Sequence, residues 1–175
     1  MNPLVEKALL FATNAHKGQV RKWTGEPYIN HPIEVMGIVQ SVEPEYVAML
    51  CAALLHDVQE DCGITNEQIS KEFGSWIAAL VDDLSDVSKP EDGNRAVRKE
   101  IDRKHTAQAF SEAKTIKLAD LISNSKSICE HDKDFAKVYI KEKELLLEVL
   151  TEGDPTLYAQ AKDIVEKAKL ELGIE

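Results

Sequence analysis

The sequence lacks a surplus of positive charge, and that absence narrows the functions open to it. It holds 21 basic against 31 acidic residues, a formal net charge of −10. A nucleic-acid binder needs a basic face, because neutralising phosphates drives its affinity. A nucleic-acid partner is therefore not expected, although a local basic pocket for one small phosphorylated ligand stays open. The bland account of the acidity is solubility. Cysteine is scarce: Cys51, Cys62 and Cys129 form no CxxC pair, which points away from a zinc knuckle or a disulfide framework. There is no long apolar run. The N-terminal apolar stretch carries Glu6 and Lys7, so it reads as an amphipathic helix rather than a leader or membrane anchor. No membrane partner and a cytoplasmic location are expected. Strand-like alternation, internal repeats and low-complexity stretches are missing as well.

What is present is helical periodicity. The 175 residues, 43% hydrophobic and 30% charged, suit one folded domain over 1–175, burying roughly 70% of the surface of its unfolded chain. The expected fold class is all-α, a single-domain helical bundle. Asn2-Pro3 opens the first helix, with Leu4, Ala8, Phe11 and Ala15 along one stripe. Residues 19–28 read as a loop. A second helix starts near His31-Pro32, and a third starts at Pro44 and runs through Leu55 into HDVQED. Thr65 and Gln68 form a capping box for a helix ending at Gly74, and another helix follows over 76–84. Residues 88–94 read as a mobile loop. Further helices are expected over 95–110, 115–129, 135–150 and 155–170, the last capped by Asp154 and closed near Gly173.

Four fragments carry polar side chains suited to chemistry: NHP at 30–32, HDVQED at 56–61, KLADL at 117–121, and Asn124 one turn on. In a continuous helix His56 stacks over Glu60 and Asp57 over Asp61. An imidazole and three carboxylates then share one side. Three close carboxylates repel, and a divalent cation or nearby basic groups would relieve them. The alternative is a solvated helix end. Against it, the apolar run 49–55 leads straight into His56, so the charges begin at the rim of a core. KLAD repeats the pattern, with Ile116 and Leu118 apolar and Asp120 and Asn124 on one face.

The order His…His-Asp…Asp resembles the metal site of the HD phosphohydrolase superfamily. RKWTGEPYINHP, LLHDVQED and KLADLISN are similar to the hydrolase domain of the RelA/SpoT group and its small alarmone hydrolases, a resemblance running from about Ala8 to Lys126. It implies an HD-type fold in which His31, His56, Asp57 and Asp120 hold one divalent metal, typically Mn²⁺. The ligand types alone also suit Fe²⁺ or Zn²⁺. It implies that Glu60 and Asp61 orient a water and manage its proton. Arg21 and Lys22 would contact base or phosphates at the pocket mouth, Asn124 the ribose, and Lys126 stands where relatives often carry arginine. The implied reaction is hydrolysis of the 3′-pyrophosphate of guanosine tetra- or pentaphosphate to GDP or GTP and pyrophosphate. Alternatives are another nucleotide substrate (an adenosine alarmone or a dNMP) and a silent nucleotide-binding module. Leu121, Gln59 and Trp23 depart from the family pattern and leave guanine against adenine open. A stand-alone hydrolase is expected, with a homodimer left open.

Other residues have two readings. His16 supports the metal shell or, as favoured here, is structural or superficial. His105 and His131 read as solvated. Arg95, Arg98, Lys99, Arg103 and Lys104 form either a phosphate-facing lid or a salt-bridged exposed helix. Trp76 reads as core, with Ile77 and Leu80.

Overall fold

Among the described residues, side-chain caps start five of the ten α-helices. In a computed structural model, which describes residues 2–174, the Asn2 side chain accepts the Leu4 N–H at 2.9 Å. Pro3 occupies the first turn, and helix α1 spans Pro3–Ala15. Helices α2 (Asn30–Val42), α3 (Val47–Leu55), α4 (Val58–Cys62), α5 (Asn66–Phe73) and α6 (Ser75–Leu84) follow. After a short 3₁₀ turn at Pro90–Asp92 come α7 (Arg95–Ala107), α8 (Ser111–His131), α9 (Lys133–Leu147) and α10 (Pro155–Leu172). Among the described residues no strand forms, and β pairing is limited to an isolated bridge between Val20 and Pro27. The fold is all-helical. Its described residues fall into two compact units that divide between Ser85 and Asp86.

In the first unit α3 is the central element, packed against α1, α2 and α6. Seven of its nine residues are buried, and each Leu among them contributes roughly 2 kcal/mol of transfer free energy. That anchoring gives its C-terminal end, where His56 sits, a fixed position. α1 buries Val5, Ala8 and Ala12; of the expected stripe Ala8 is buried, while Leu4, Phe11 and Ala15 are half-buried beside it. The capping box at Thr65 is formed: Gln68 N–H donates to Thr65 Oγ1 at 3.2 Å and Thr65 N–H to Gln68 Oε1 at 2.8 Å. Trp76 is 36% exposed while Ile77 and Leu80 are buried. That corrects the reading of Trp76 as core: neighbours on a helix point about 100° apart, and the buried face of α6 is set by Ile77, Leu80, Val81 and Leu84.

A second correction concerns HDVQED. The expected single helix from Pro44 through Asp61 starts at Val47 and is broken at His56–Asp57. His56 Nδ1–H donates to the Ala53 carbonyl at 2.7 Å, so a side chain takes up a carbonyl at the end of the helix. Asp57 adopts φ −104°, ψ −4°, the sparsely allowed bridge region where many active-site residues sit. A five-residue helix, α4, then restarts the ladder with Asp61 N–H donating to the Asp57 carbonyl at 2.9 Å, and Gly63 closes it at φ +66°, a left-handed conformation that favours glycine.

In the second unit α10 packs on α8 and α9, and α8 on α9. α8 buries Ile116, Leu118, Leu121 and Ile122. Asp154 caps α10 by accepting the Leu157 N–H at 2.9 Å, and Gly173 ends it with φ +66°. Residue 88, expected to begin a mobile loop, is pinned together with residue 87: Val87 and Ser88 N–H both donate to Asp102 Oδ1, at 2.9 and 2.8 Å.

Candidate metal centre

Three buried or half-buried groups converge in the first unit. His31 is the second residue of α2, 2% exposed, and His56 closes α3, 3% exposed. With Asp57 they form a group whose candidate ligand atoms all lie within 4.8 Å of one another. His56 Nε2 lies 2.9 Å and His31 Nε2 3.7 Å from Asp57 Oδ2. The tautomer of His56 follows from its partners: a carbonyl oxygen only accepts, so Nδ1 carries the hydrogen donated to Ala53. In a neutral ring Nε2 is then a lone pair facing a carboxylate oxygen, an arrangement that needs positive charge between them. A divalent cation meets that need, and two imidazoles with a carboxylate are a donor set suited to one. The residues present fit a metal ion.

The surroundings orient this group. Tyr28 Oη donates to Asp57 Oδ2 at 2.6 Å. The Tyr28 ring lies 5.8 Å from His31 and 4.8 Å from His16, and the His31 and His56 rings are 5.1 Å apart. Loop 19–28, which supplies Tyr28, is closed by backbone bonds from Arg21 N to Glu26 O at 2.8 Å and from Tyr28 N to Gln19 O at 2.9 Å. The Arg21 guanidinium lies 5.8 Å from the Tyr28 ring centroid, and Lys22 Nζ 4.7 Å from Trp23. Glu60 and Asp61 are exposed on α4, and Asp61 Oδ2 accepts from Gln19 Nε2 at 3.0 Å. The stacking of His56 and Asp57 over Glu60 and Asp61 along one uninterrupted helix is not what forms; the four residues straddle the α3–α4 break. Burial, followed by the Asp61 and Asp57 charges, pushes the Cys62 thiol up.

Gln19 and Tyr28 were not among the expected site residues, and His16 was weighed as a support of the metal shell but not favoured. His16 is 3% exposed, so it is not superficial. A polar side chain ending α1 ahead of a Gly/Pro loop was the available signal, but His16 and Tyr28 both pass as packing residues when read locally.

Asp120, Asn124 and Lys126 belong to the second unit. Asp120 is 9% exposed on α8 and accepts from Asn124 Nδ2 at 2.7 Å, the i,i+4 pairing expected of them. Lys126 is exposed. Burial pushes the Lys143 ammonium of α9 down to about 8, with Asp120 opposing and Lys117 and Lys99 adding to the shift. The cations of α7 are largely engaged: Arg95 makes a two-point contact with Glu142 at 2.6 and 2.9 Å. Lys99 meets Asp86 at 2.8 Å and Lys104 meets Glu100 at 2.9 Å. Three of the five cations thus meet carboxylates, as the salt-bridged one of the two readings expects. His131 is exposed and His105 half-buried, so His105 is less solvated than expected.

An all-helical fold that sets a His-Asp pair at the end of a buried helix, beside a further histidine, defines a class. The HD domain family pattern matches residues 8–144, and the chain belongs to that family. Within it, the chain is similar to the guanosine-3′,5′-bis(diphosphate) 3′-pyrophosphohydrolase of Haemophilus influenzae, with 45% identity over 80 residues, 46% of this chain and 12% of that protein. It is similar to a probable GTP diphosphokinase, chloroplastic, of Oryza sativa, with 38% identity over 133 residues, 71% of this chain and 18% of the relative. The chain thus spans less than a fifth of the length of either curated relative. A solved structure of a metazoan ortholog of SpoT, a protein that hydrolyzes ppGpp, matches with a TM-score of 0.86 and 28% identity, covering 97% of this chain and 98% of that one. No helix among the described residues is long and apolar enough to cross a membrane.

Proposed function

We propose that the chain, acting over 1–175 as one hydrolase domain, is a metal-dependent phosphohydrolase that removes the 3′-pyrophosphate of guanosine tetra- and pentaphosphate. The observation that carries this reading is the buried His31–His56–Asp57 group with the carboxylates Glu60 and Asp61 starting three residues after Asp57. Asp120 is added as a fourth ligand on the strength of the KLAD motif. Mn²⁺ is the proposed ion. When bound, it would polarise a phosphoryl oxygen and acidify a water.

The rest of the work falls to side chains. Glu60 and Asp61 orient the attacking water and take its proton. The water oxygen joins the phosphorus bound to O3′, the P–O3′ bond breaks, and the proton is returned to O3′, leaving GDP or GTP and pyrophosphate. Arg21 and Lys22 hold phosphates or base at the mouth of the site, with Asn124 and Lys126 contacting the nucleoside.

The test is a panel of nucleotides assayed with Mn²⁺, with pyrophosphate and orthophosphate measured separately. Guanosine tetraphosphate should yield pyrophosphate and GDP one for one. Preferred hydrolysis of an adenosine alarmone or a dNMP, release of orthophosphate, or binding without turnover would overturn the assignment. Asp57→Ala and Asp120→Ala should lose bound Mn²⁺, whereas Glu60→Gln and Asp61→Asn should keep it and slow turnover by roughly a hundred-fold.

A further inference from the structure

Two residues outside the metal group form a directed chain onto Asp61. His16 follows α1, and its ring is 3% exposed. Its Nδ1 lies 2.8 Å from Gln19 Oε1, and Gln19 Nε2 donates to Asp61 Oδ2 at 3.0 Å. The direction of the chain is set at the Asp61 end. A carboxylate only accepts, so Gln19 must turn its NH₂ to Asp61, which leaves its carbonyl oxygen to His16. That oxygen also only accepts, so His16 Nδ1 must carry a hydrogen. Each link polarises the next, so the chain runs one way from the His16 N–H to the Asp61 oxygen.

We propose that His16 and Gln19 are positioning residues for the reaction, acting through Asp61: they occupy Oδ2, restrict the rotamer of an otherwise exposed side chain, and leave Oδ1 to take the proton of the attacking water. This rests on the role given to Asp61 above. Two observations separate it from mere loop packing. First, the loop is already closed by main-chain bonds, Gln19 N to His16 O at 3.0 Å and Tyr28 N to Gln19 O at 2.9 Å, so its shape does not require the Gln19 side chain. Second, His16 Nε2 is buried with no hydrogen-bond partner among the described residues, a desolvation cost that an apolar side chain would avoid. What the imidazole adds over such a side chain is its Nδ1–H. The Cys62 sulfur lies 3.3 Å from the same nitrogen, and the Tyr28 ring packs on the imidazole at 4.8 Å. Both hold the ring in place.

The experiment compares Gln19→Leu, His16→Leu and His16→Asn in the Mn²⁺-loaded protein, with guanosine tetraphosphate as substrate. Gln19→Leu should lower kcat by roughly ten-fold or more, as loss of an orienting partner does, with KM, bound Mn²⁺ and Tm unchanged. His16→Leu should lower kcat in the same way, by less. His16→Asn, whose amide nitrogen can stand near the place of Nδ1, should recover kcat to within about three-fold of the parent. In an Asp61→Asn background, Gln19→Leu should cost almost nothing further, because the partners act as one unit. An equal loss in both backgrounds, or an effect confined to KM, Mn²⁺ content or Tm, would overturn the proposal. Its failure is distinct from failure of the Asp61 assignment. If Asp61→Asn is slow and Gln19→Leu is not, the chain alone is wrong; if Asp61→Asn turns over at the parent rate, Asp61 is wrong.

Discussion

At the scale of single residues, Tyr28 shows how much the centre depends on a side chain that is neither ligand nor base. Its hydroxyl donates to the same Asp57 oxygen that faces both histidines, and its ring packs between His16 and His31. Tyr28→Phe removes the donor and keeps the ring. Mn²⁺ affinity should fall by roughly ten-fold, read by calorimetric titration, while far-UV circular dichroism stays unchanged. Unaltered affinity would show that the hydroxyl does not orient Asp57. The candidate ligands could be picked out of the sequence, because histidine beside aspartate after an apolar run is uncommon and chemically loaded. Tyr28 and Gln19 could not, since their side chains acquire a role only from Asp57 and Asp61, distant in the chain.

Helices and loops were the easiest features to anticipate where their ends are set by neighbours. Asn2, Thr65 and Asp154 cap helices within three residues of themselves, and all three starts were readable. The break at His56 was not, because apolar periodicity and helix propensity run straight through it; the kink comes from an imidazole bonding to the Ala53 carbonyl. A different constraint operates at Gly153, where the loop before α10 passes close to α8. A Cβ there would sit 2.7 Å from the Leu118 Cδ1 and 3.2 Å from the Lys114 carbonyl carbon and the Leu150 oxygen. Leu118 can yield, but the two backbone atoms cannot. Gly153→Ala should therefore destabilise the protein by about 1–3 kcal/mol, as overpacking does, measured as a lower urea midpoint with an unchanged m-value.

For the molecule as a whole, net charge and acid sensitivity are linked. Asp86 begins the second unit; burial alone would raise its pKa, but Lys117, Lys99 and Lys143 outweigh burial and hold the carboxyl below its usual 3.8. A depressed folded pKa means stabilisation that is complete above the unfolded value and is lost as pH falls through the folded one. Asp86→Asn should thus lower Tm at neutral pH, and the two Tm curves should converge as pH drops below about 4. Curves that stay parallel as pH falls well below 4 would show that the charge of Asp86 contributes nothing. What the sequence determined by itself was the helical class, most helix starts and the His56–Asp57 pair, with His31 and Asp120 added as candidates by the family resemblance, because capping and periodicity act within a turn or two and the chemistry of a residue type travels with it. Tertiary structure alone decided the exposure of Trp76, the kink that splits HDVQED, and the partners of Asp57 and Asp61. Those partners lie 29 and 42 positions away, and no local pattern encodes which distant side chains packing will bring within hydrogen-bond reach.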